Sequence, residues 1–233
     1  MKRFTDRRTA GQELAERLAH YLDQPDVLVL GLPRGGVPVA YEVARFLQAP
    51  LDVMVVRKLG APGQPELAVG AIASGGVTLL NEAIPAWFRD ASDIERTAAA
   101  EHVELERRER IYRGEHAPLD ARNRTIILVD DGAATGATMR AAVRAVRKLN
   151  AKRVVVALPV ASLEAVELLR SEADEVVCLG APLGFYSVGQ WYDEFPQLTD
   201  EEVKDLLMRA KSHVARGRHH TNSPAADRSS RAK

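Results

Sequence analysis

The sequence predicts an α/β fold in which a twisted parallel sheet is flanked by helices. Short runs of apolar, β-branched residues alternate along the chain with stretches of helical period. Strand, helix and strand follow one another between residues 125 and 180, and this alternation implies a parallel sheet with right-handed crossovers. At 233 residues, the chain is long enough for one substantial core.

The first half of the chain supplies the start of this sheet and an added hairpin. In chain order, it predicts helices over 9–22 and 36–48 and strands over 26–32, 51–56, 66–74 and 76–81. Thr9 is the cap candidate of the first helix. The Gly/Pro-rich residues 59–67 predict a flexible lid after the second strand, and the glycine pair at 75–76 predicts the hairpin turn.

The second half predicts strands over 125–131, 153–160 and 175–180, and helices over 92–113, 139–150, 162–173 and 199–216. The helix over 92–113 is a long, charged insert, expected to be mostly solvated. Residues 181–198 carry five aromatic side chains without any helical or strand period, which predicts a functional loop. One domain is expected over 1–216, followed by a disordered polar tail over 217–233.

Composition and charge narrow the class of protein. Lys plus Arg and Asp plus Glu both number 32, so no overall field favours nucleic acid, and nucleic acid is not an expected partner. Cys178 is the single cysteine and has no internal partner for a disulfide, which fits a reducing compartment. No apolar leader or membrane-spanning stretch occurs, so a cytoplasmic protein without membrane contact is expected.

The strongest chemical signal is the sequence that ends the strand over 125–131. Two carboxylates, Asp130 and Asp131, precede a loop of Gly, Ala and Thr that leads into a helix. Successive backbone N–H groups and a helix N-terminus then point at one spot, which suits a phosphate. The carboxylates suit sugar hydroxyls or Mg²⁺ instead. The predicted phosphate ligands are Gly132, Ala133, Ala134, Thr135, Gly136, Ala137 and Thr138.

Two further segments carry cations at predicted strand ends. Arg34, Gly35 and Gly36 combine a guanidinium with two unhindered amides, which suits a second anion. Arg57 and Lys58 are basic residues at the end of the next strand, where they are predicted to neutralise a leaving group. Glu66 is either a Mg²⁺ ligand or a solvated charge.

The segment VDDGAATGAT closely resembles the signature of the type I phosphoribosyltransferases, and the resemblance of the whole chain spans roughly residues 5–210. It implies that Asp130 and Asp131 take the ribose hydroxyls of 5-phosphoribosyl 1-pyrophosphate (PRPP), directly or through Mg²⁺. Residues 132–138 would then bind the 5-phosphate, and Arg34-Gly35-Gly36 the pyrophosphate, on a loop that is often cis in this family. Asp130, Asp131, Lys58 and Arg34 are the implied catalytic residues, and a homo-oligomer is expected.

The resemblance also implies a hood over an acceptor base. We call residues 181–198 the hood segment, and its rings Phe185, Tyr186, Trp191 and Tyr192 either stack on a planar base or plug the end of the sheet. Enzymes for 6-oxopurines usually carry Asp where this chain has Ala134, so hypoxanthine and guanine are not supported. Two alternatives stay open: a non-catalytic PRPP-sensing regulator of the same fold, and a Mg²⁺-dependent sugar-phosphate hydrolase.

Overall fold

The computed structural model describes residues 2–61, 64–80, 91–114 and 119–220, with the side chains of 64–68, 91–95 and 213–220 left out. The strands are β1 (Val27–Gly31), β2 (Leu51–Val53), β3 (Val56–Ala61), β4 (Gln64–Ala73), β5 (Val77–Leu80), β6 (Thr125–Val129), β7 (Arg153–Val160) and β8 (Glu175–Gly180). The helices are α1 (Arg7–Arg17), α2 (Gly36–Leu47), α3 (Ala91–Arg113), α4 (Ala137–Lys148), α5 (Leu163–Arg170) and α6 (Asp200–His220).

The central sheet is parallel, as the sequence predicts. Its strand order is β2-β1-β6-β7-β8, and β1 pairs with β6 from Val27 opposite Thr125 to Gly31 opposite Val129. The chain leaves β1 towards β2 on one side and returns as β6 on the other. This reversal is a topological switch point, where the loops that follow β1 and β6 emerge side by side.

Both faces of the sheet are buried under helices. Alternate residues of β1 and β6 point to opposite faces, so Val29 and Ile127 pack in the cluster with α1, α2 and α6, whereas Leu30 and Leu128 pack in the cluster with α4 and α5. Strands covered on both faces require nearly continuous apolar runs, and the sequence supplies them. The predicted fold class is therefore confirmed.

The structure contains a second, antiparallel sheet of order β3-β4-β5. Its position shows that the predicted strand over 51–56 and the predicted lid over 59–67 were partly wrong. The run over 51–56 is divided between two sheets, because β2 ends at Val53 and β3 begins at Val56. Residues 59–61, predicted to begin the lid, are strand residues paired with β4. The predicted hairpin over 66–74 and 76–81 corresponds to β4 and β5, and residues 62–63 and 81 lie outside the described residues.

Several helix ends differ from prediction, and two of the differences concern the cap of α1 and the predicted tail. Helix α1 is capped by Asp6, whose side chain accepts from the Thr9 amide at 2.7 Å, so Thr9 is not the cap. Helix α6 continues to His220, four residues into the predicted tail, and residues 221–233 lie outside the described residues. No helix in the described ranges is both long and apolar enough to cross a bilayer.

Candidate functional site

The loops after β1 and β6 touch at the switch point. The Leu32 amide donates to the Val129 carbonyl at 2.9 Å, and the peptide bond between Pro33 and Arg34 is cis. A Cβ atom at Gly35 would lie 2.0 Å from Asp131 Oδ2, and one at Gly36 would lie 2.6 Å from the Val129 carbonyl oxygen. Glycine is therefore required at both positions. The contact brings the turn of Arg34, Gly35 and Gly36, which we call the arginine-glycine turn, against Asp130 and Asp131, the acidic pair.

The turn after the acidic pair divides into a packed part and an open part. Gly132 is buried against Val160 and Val188, and the Ala133 amide donates to the Val160 carbonyl at 3.0 Å, so the prediction that Ala133 offers its amide to a phosphate is wrong. In the described chain, no acceptor engages the amides of Ala134, Thr135 and Gly136.

The open part leads directly into α4. Gly136 has φ of +71° at the N-cap of this helix, and the exposed residues Ala137 and Thr138 follow it. The Thr135 hydroxyl lies 3.4 Å from the Ala137 amide. These amides and the positive end of the helix make the turn over 134–138, which we call the anion turn, chemically suited to an anion.

Ser162 fixes the anion turn and was not singled out by the sequence. Its hydroxyl donates to the Ala134 carbonyl at 2.7 Å and accepts from the Ala165 amide at 3.0 Å, and its own amide donates to the Ala133 carbonyl at 2.9 Å. A serine at the start of a predicted helix indicates an N-cap. Its second role follows from the adjacency of β6 and β7, which only the fold supplies.

The two aspartates have different surroundings. Asp130 Oδ1 accepts from the Asp131 amide at 2.9 Å, and apart from Asp131 no described residue hydrogen-bonds to the Asp130 carboxyl group. Asp131 is only 9% exposed, and its Oδ2 accepts from Arg7 Nε at 2.8 Å. Burial and the charge of Asp131 raise the pKa of Asp130 well above its usual range. Burial also raises the pKa of Asp131, against the opposing effect of Arg7.

Arg7 is the main site residue that sequence reasoning missed. Besides contacting Asp131, its Nη1 donates to the Pro196 carbonyl at 2.8 Å, and its guanidinium carbon lies 3.7 Å from the centre of the Phe195 ring. The one signal in the sequence is a basic residue in the first turn of a helix, where the dipole disfavours a positive charge. Its acidic partner is too distant in sequence to identify from the pattern.

The predicted cations do not all face the site. Arg34 is exposed, and no described residue hydrogen-bonds to its guanidinium or forms an ion pair with it. Arg57 instead faces α3, where its Nε lies 2.5 Å from Glu101 Oε2, so the structure does not bring it to the acidic pair. Lys58 is exposed on the opposite face of β3. The Glu66 side chain lies outside the described residues.

The Gly36 amide is also committed, because it donates to the Leu32 carbonyl at 3.0 Å. The prediction of two unhindered amides in the turn is therefore wrong for Gly36. Gly36 is the first residue of α2, where an amide has no acceptor within the helix, and the turn that precedes α2 supplies one in the Leu32 carbonyl.

The hood segment packs against residues 4–7, which we call the N-terminal segment, through Phe4 on Tyr192 and Arg7 on Phe195. Tyr192 is 1% exposed and donates its hydroxyl to the Asp131 carbonyl at 2.6 Å, so this ring plugs the sheet end. Phe185 and Trp191 stack with their centroids 6.4 Å apart, and Trp191 Nε1 is buried without an acceptor in the described chain. Tyr186 is 89% exposed. The four predicted rings therefore do not form one surface.

A family model for the phosphoribosyl transferase domain matches residues 4–185. Two relatives from Mycobacterium tuberculosis, strains CDC 1551 and H37Rv, are named "Putative phosphoribosyl transferase" and are 48% identical over 216 residues. That match covers 92% of this chain and 48% of theirs, so the chain spans about half the length of these curated relatives. The crystal structure of TT1426 from Thermus thermophilus is 48% identical, with a TM-score of 0.79, and the match covers 89% of this chain and 98% of TT1426.

Proposed function

The chain belongs to the phosphoribosyl transferase domain family, and from this premise we propose that it transfers phosphoribose from PRPP to a nitrogenous acceptor, with release of pyrophosphate. One observation carries the proposal. Three groups come from adjoining loops at one switch point: an open anion turn, the Asp130 carboxyl group, whose hydrogen bonds in the described chain are with Asp131 alone, and the Arg34 guanidinium, which has no hydrogen bond there. Parallel α/β sheets bind their ligands at such points.

Each part of PRPP has a proposed binding partner among these loops. The 5-phosphate would accept from the amides of Ala134, Thr135 and Gly136 and from the hydroxyls of Thr135 and Thr138. The ribose hydroxyls would donate to the acidic pair, and the pyrophosphate would bind Arg34 and the Gly35 amide. Lys58 is the second cation proposed for the pyrophosphate. We no longer assign this role to Arg57, because Glu101 holds its guanidinium.

Mg²⁺ fits this donor set. No group of three or more His, Cys, Asp or Glu side chains in the described ranges is arranged to hold a metal ion by itself. Mg²⁺ ordinarily retains waters and binds through one or two carboxylates together with substrate phosphates. Asp130 and, less directly, Asp131 are the proposed protein ligands. When bound, the ion would neutralise charge on the departing pyrophosphate.

The chain's own residues would act by positioning and by electrostatics. Arg34 and the Gly35 amide would stabilise the negative charge that grows on pyrophosphate as the bond to the anomeric carbon breaks. The acidic pair would hold the sugar while positive charge develops on its ring. No covalent intermediate is required, so the scheme needs no nucleophilic side chain.

The acceptor would lie beneath the hood segment. Phe185 and Trp191 are the rings best suited to a planar base, because Tyr192 is buried in the protein. Tyr186 is the exposed ring nearest to them in sequence and completes the proposed acceptor set. Ala134 occupies the position at which 6-oxopurine enzymes usually carry Asp, so we propose an acceptor other than hypoxanthine or guanine.

Thermal unfolding with PRPP and Mg²⁺ tests the proposal. A ligand that binds only the native state raises the unfolding temperature by mass action. We expect stabilisation of the wild type by PRPP plus Mg²⁺ and a large reduction of it in Asp130→Asn. Unchanged unfolding of the wild type at millimolar PRPP contradicts the proposal. Release of pyrophosphate across a panel of bases then separates a transferase from a PRPP-sensing regulator, which binds without turnover.

A further inference from the structure

Arg7 and Asp131 form a nearly buried ion pair inside the proposed site. Their side chains are 10% and 13% exposed, and the Nε–Oδ2 distance is 2.8 Å. A pair removed from water in this way recovers its desolvation cost only with good geometry and further hydrogen bonds. Arg7 has these, because the Pro196 carbonyl and the Phe195 ring engage the rest of its guanidinium. The pair is thus fixed in position.

The pair also joins segments that are far apart in sequence. Arg7 belongs to α1, Phe195 and Pro196 to the hood segment, and Asp131 to the loop after β6. The Asp131 carbonyl accepts from Tyr192 at 2.6 Å, and the Asp131 carboxylate lies directly against Gly35. Displacement of Asp131 would therefore disturb every loop of the proposed site.

The same contacts separate the roles of the two acids. The Asp131 carboxylate is covered by Gly35 on one side and bound to Arg7 on another. Asp130 is half-buried, and apart from Asp131 no described residue hydrogen-bonds to its carboxyl group. A sugar hydroxyl needs an accessible acceptor oxygen, which Asp130 offers and Asp131 largely does not.

We propose that Arg7 is a positioning residue: it holds Asp131 as a fixed anion beneath Gly35, so that Asp131 organises the site while Asp130 reads the sugar hydroxyls. This inference rests on the proposed function, and it departs from the equal roles that the family resemblance implies for the two acids. Arg7 acts through Asp131 and does not touch the ligand.

The ratio of affinities for ribose 5-phosphate and 2-deoxyribose 5-phosphate tests the division of roles. The two probes differ by one hydroxyl, so the ratio reports the hydroxyl contact and is insensitive to general loosening of the site. Titration calorimetry with Mg²⁺ would compare the wild type with Asp130→Asn, Asp131→Asn, Arg7→Met and Arg7→Lys, each at a temperature where circular dichroism shows the native fold.

We expect the wild type to prefer ribose 5-phosphate by about tenfold or more, as for a hydrogen bond to a charged group. Asp130→Asn should bring the ratio near unity. Asp131→Asn and Arg7→Met should weaken both probes by a similar factor, about tenfold, and keep the ratio. Arg7→Lys should recover part of the affinity, because it restores the charge without the second hydrogen bond.

Three results decide against the inference. If Asp131→Asn loses the preference for ribose 5-phosphate and Asp130→Asn keeps it, the roles of the two acids are reversed. If Arg7→Met binds both probes as tightly as the wild type, Arg7 has no positioning role. If the wild type binds both probes equally, neither acid recognises the hydroxyl group by which the probes differ. Failure of the wild type to bind either probe or PRPP is a different result, which defeats the proposed function itself.

Discussion

At the scale of single residues, the site depends on a contact that admits no side chain. Gly35 lies so close to Asp131 that a Cβ atom would fall 2.0 Å from Oδ2 and 2.6 Å from Cγ. Neither the ion-paired carboxylate nor the turn can retreat without losing its own partners. We predict that Gly35→Ala destabilises the protein by about 2 kcal/mol or more in urea unfolding, and that PRPP binding is lost.

Gly76→Ala is the matched control for this prediction. Gly76 has φ of +73° and nothing within 4 Å of an added Cβ, so alanine there meets backbone strain but no clash. We expect a loss of about 1 kcal/mol with unchanged PRPP affinity. Equal PRPP affinities for the two variants would show that close packing at Gly35 does not shape the site.

Residues joined by short sequence patterns were predictable, and those joined by the fold were not. The places of Asp130, Gly35 and Thr135 at one end of the sheet were predictable, because a strand followed by small residues constrains where backbone and side chains point. The role of Asp131 depends on Arg7, which is 124 residues away, and no local pattern indicates that contact. Arg57 was assigned wrongly because its partner Glu101 lies on a helix whose packing the sequence did not reveal.

At the scale of elements, the start of α5 supports the anion turn. Ser162 caps α5 through the Ala165 amide and holds the Ala134 carbonyl at 2.7 Å. Ser162→Ala removes both interactions without removing bulk. We predict a loss of about 1 kcal/mol in urea unfolding and a several-fold weaker binding of PRPP by calorimetry.

Ser171→Ala serves as its control at the other end of α5. The exposed Ser171 hydroxyl donates to the Leu168 carbonyl at 2.7 Å and contacts no part of the anion turn. Its replacement should change stability by less than about 0.5 kcal/mol and leave PRPP affinity unaltered. If both serine variants bind PRPP as the wild type does, the turn does not need its support from α5.

Helix α4 is tied to the segment after α5 by one carboxylate, which gives a prediction for acid stability. Glu172 accepts from Arg144 at 2.6 Å and from Arg140 at 2.7 Å, and these hydrogen bonds, Arg144 first, lower its pKa to about 2 from an ordinary 4.5. A carboxyl whose pKa is lower when folded stabilises the protein above about pH 4.5. That contribution is lost as the pH falls towards 2.

Glu172→Gln should therefore be less stable than the wild type by about 1 to 2 kcal/mol at pH 7, and the difference should shrink below pH 4.5. Urea unfolding at a series of pH values measures it. Glu167→Gln, an exposed position on α5, is the control and should differ little from the wild type at any pH. A difference between Glu172→Gln and the wild type that stays constant with pH would remove the ion pairs as its cause.

Most elements of the central sheet were predictable, whereas the second sheet was only partly so. Buried parallel strands are marked by continuous apolar runs, and β7 has the predicted bounds 153–160. Strand β3 carries Arg57, Lys58 and Gly60, which interrupt such a run and suggested a loop. Strand β3 nevertheless pairs with β4, the next strand in sequence, in an antiparallel sheet that tolerates these residues, and the Gly/Pro-rich residues between them were interpreted as a lid rather than as the connection of a strand pair.

At the scale of the whole molecule, residues near the N-terminus pair with the hood segment beside the proposed site. The Phe4 amide donates to the Trp191 carbonyl at 2.9 Å, and the Asp193 amide donates to the Phe4 carbonyl at 2.9 Å. Phe4 is 4% exposed, with its ring 5.6 Å from that of Tyr192. The hood segment is thus held by residues from the opposite end of the sequence, and we expect it to unfold together with the sheet.

Phe4→Ala tests this closure. Removal of the buried ring should destabilise the protein by about 3 kcal/mol, whereas Leu22→Ala, at a residue that is 42% exposed, should lose about 1 kcal/mol or less. With Trp87 replaced by Phe, Trp191 is the sole tryptophan, and its emission reports on the hood segment. The urea midpoints from this emission and from circular dichroism should coincide in the wild type and move together in Phe4→Ala. An earlier midpoint for the emission would mean that the hood segment opens independently, because its contacts with the N-terminal segment would then be too weak to couple it to the core.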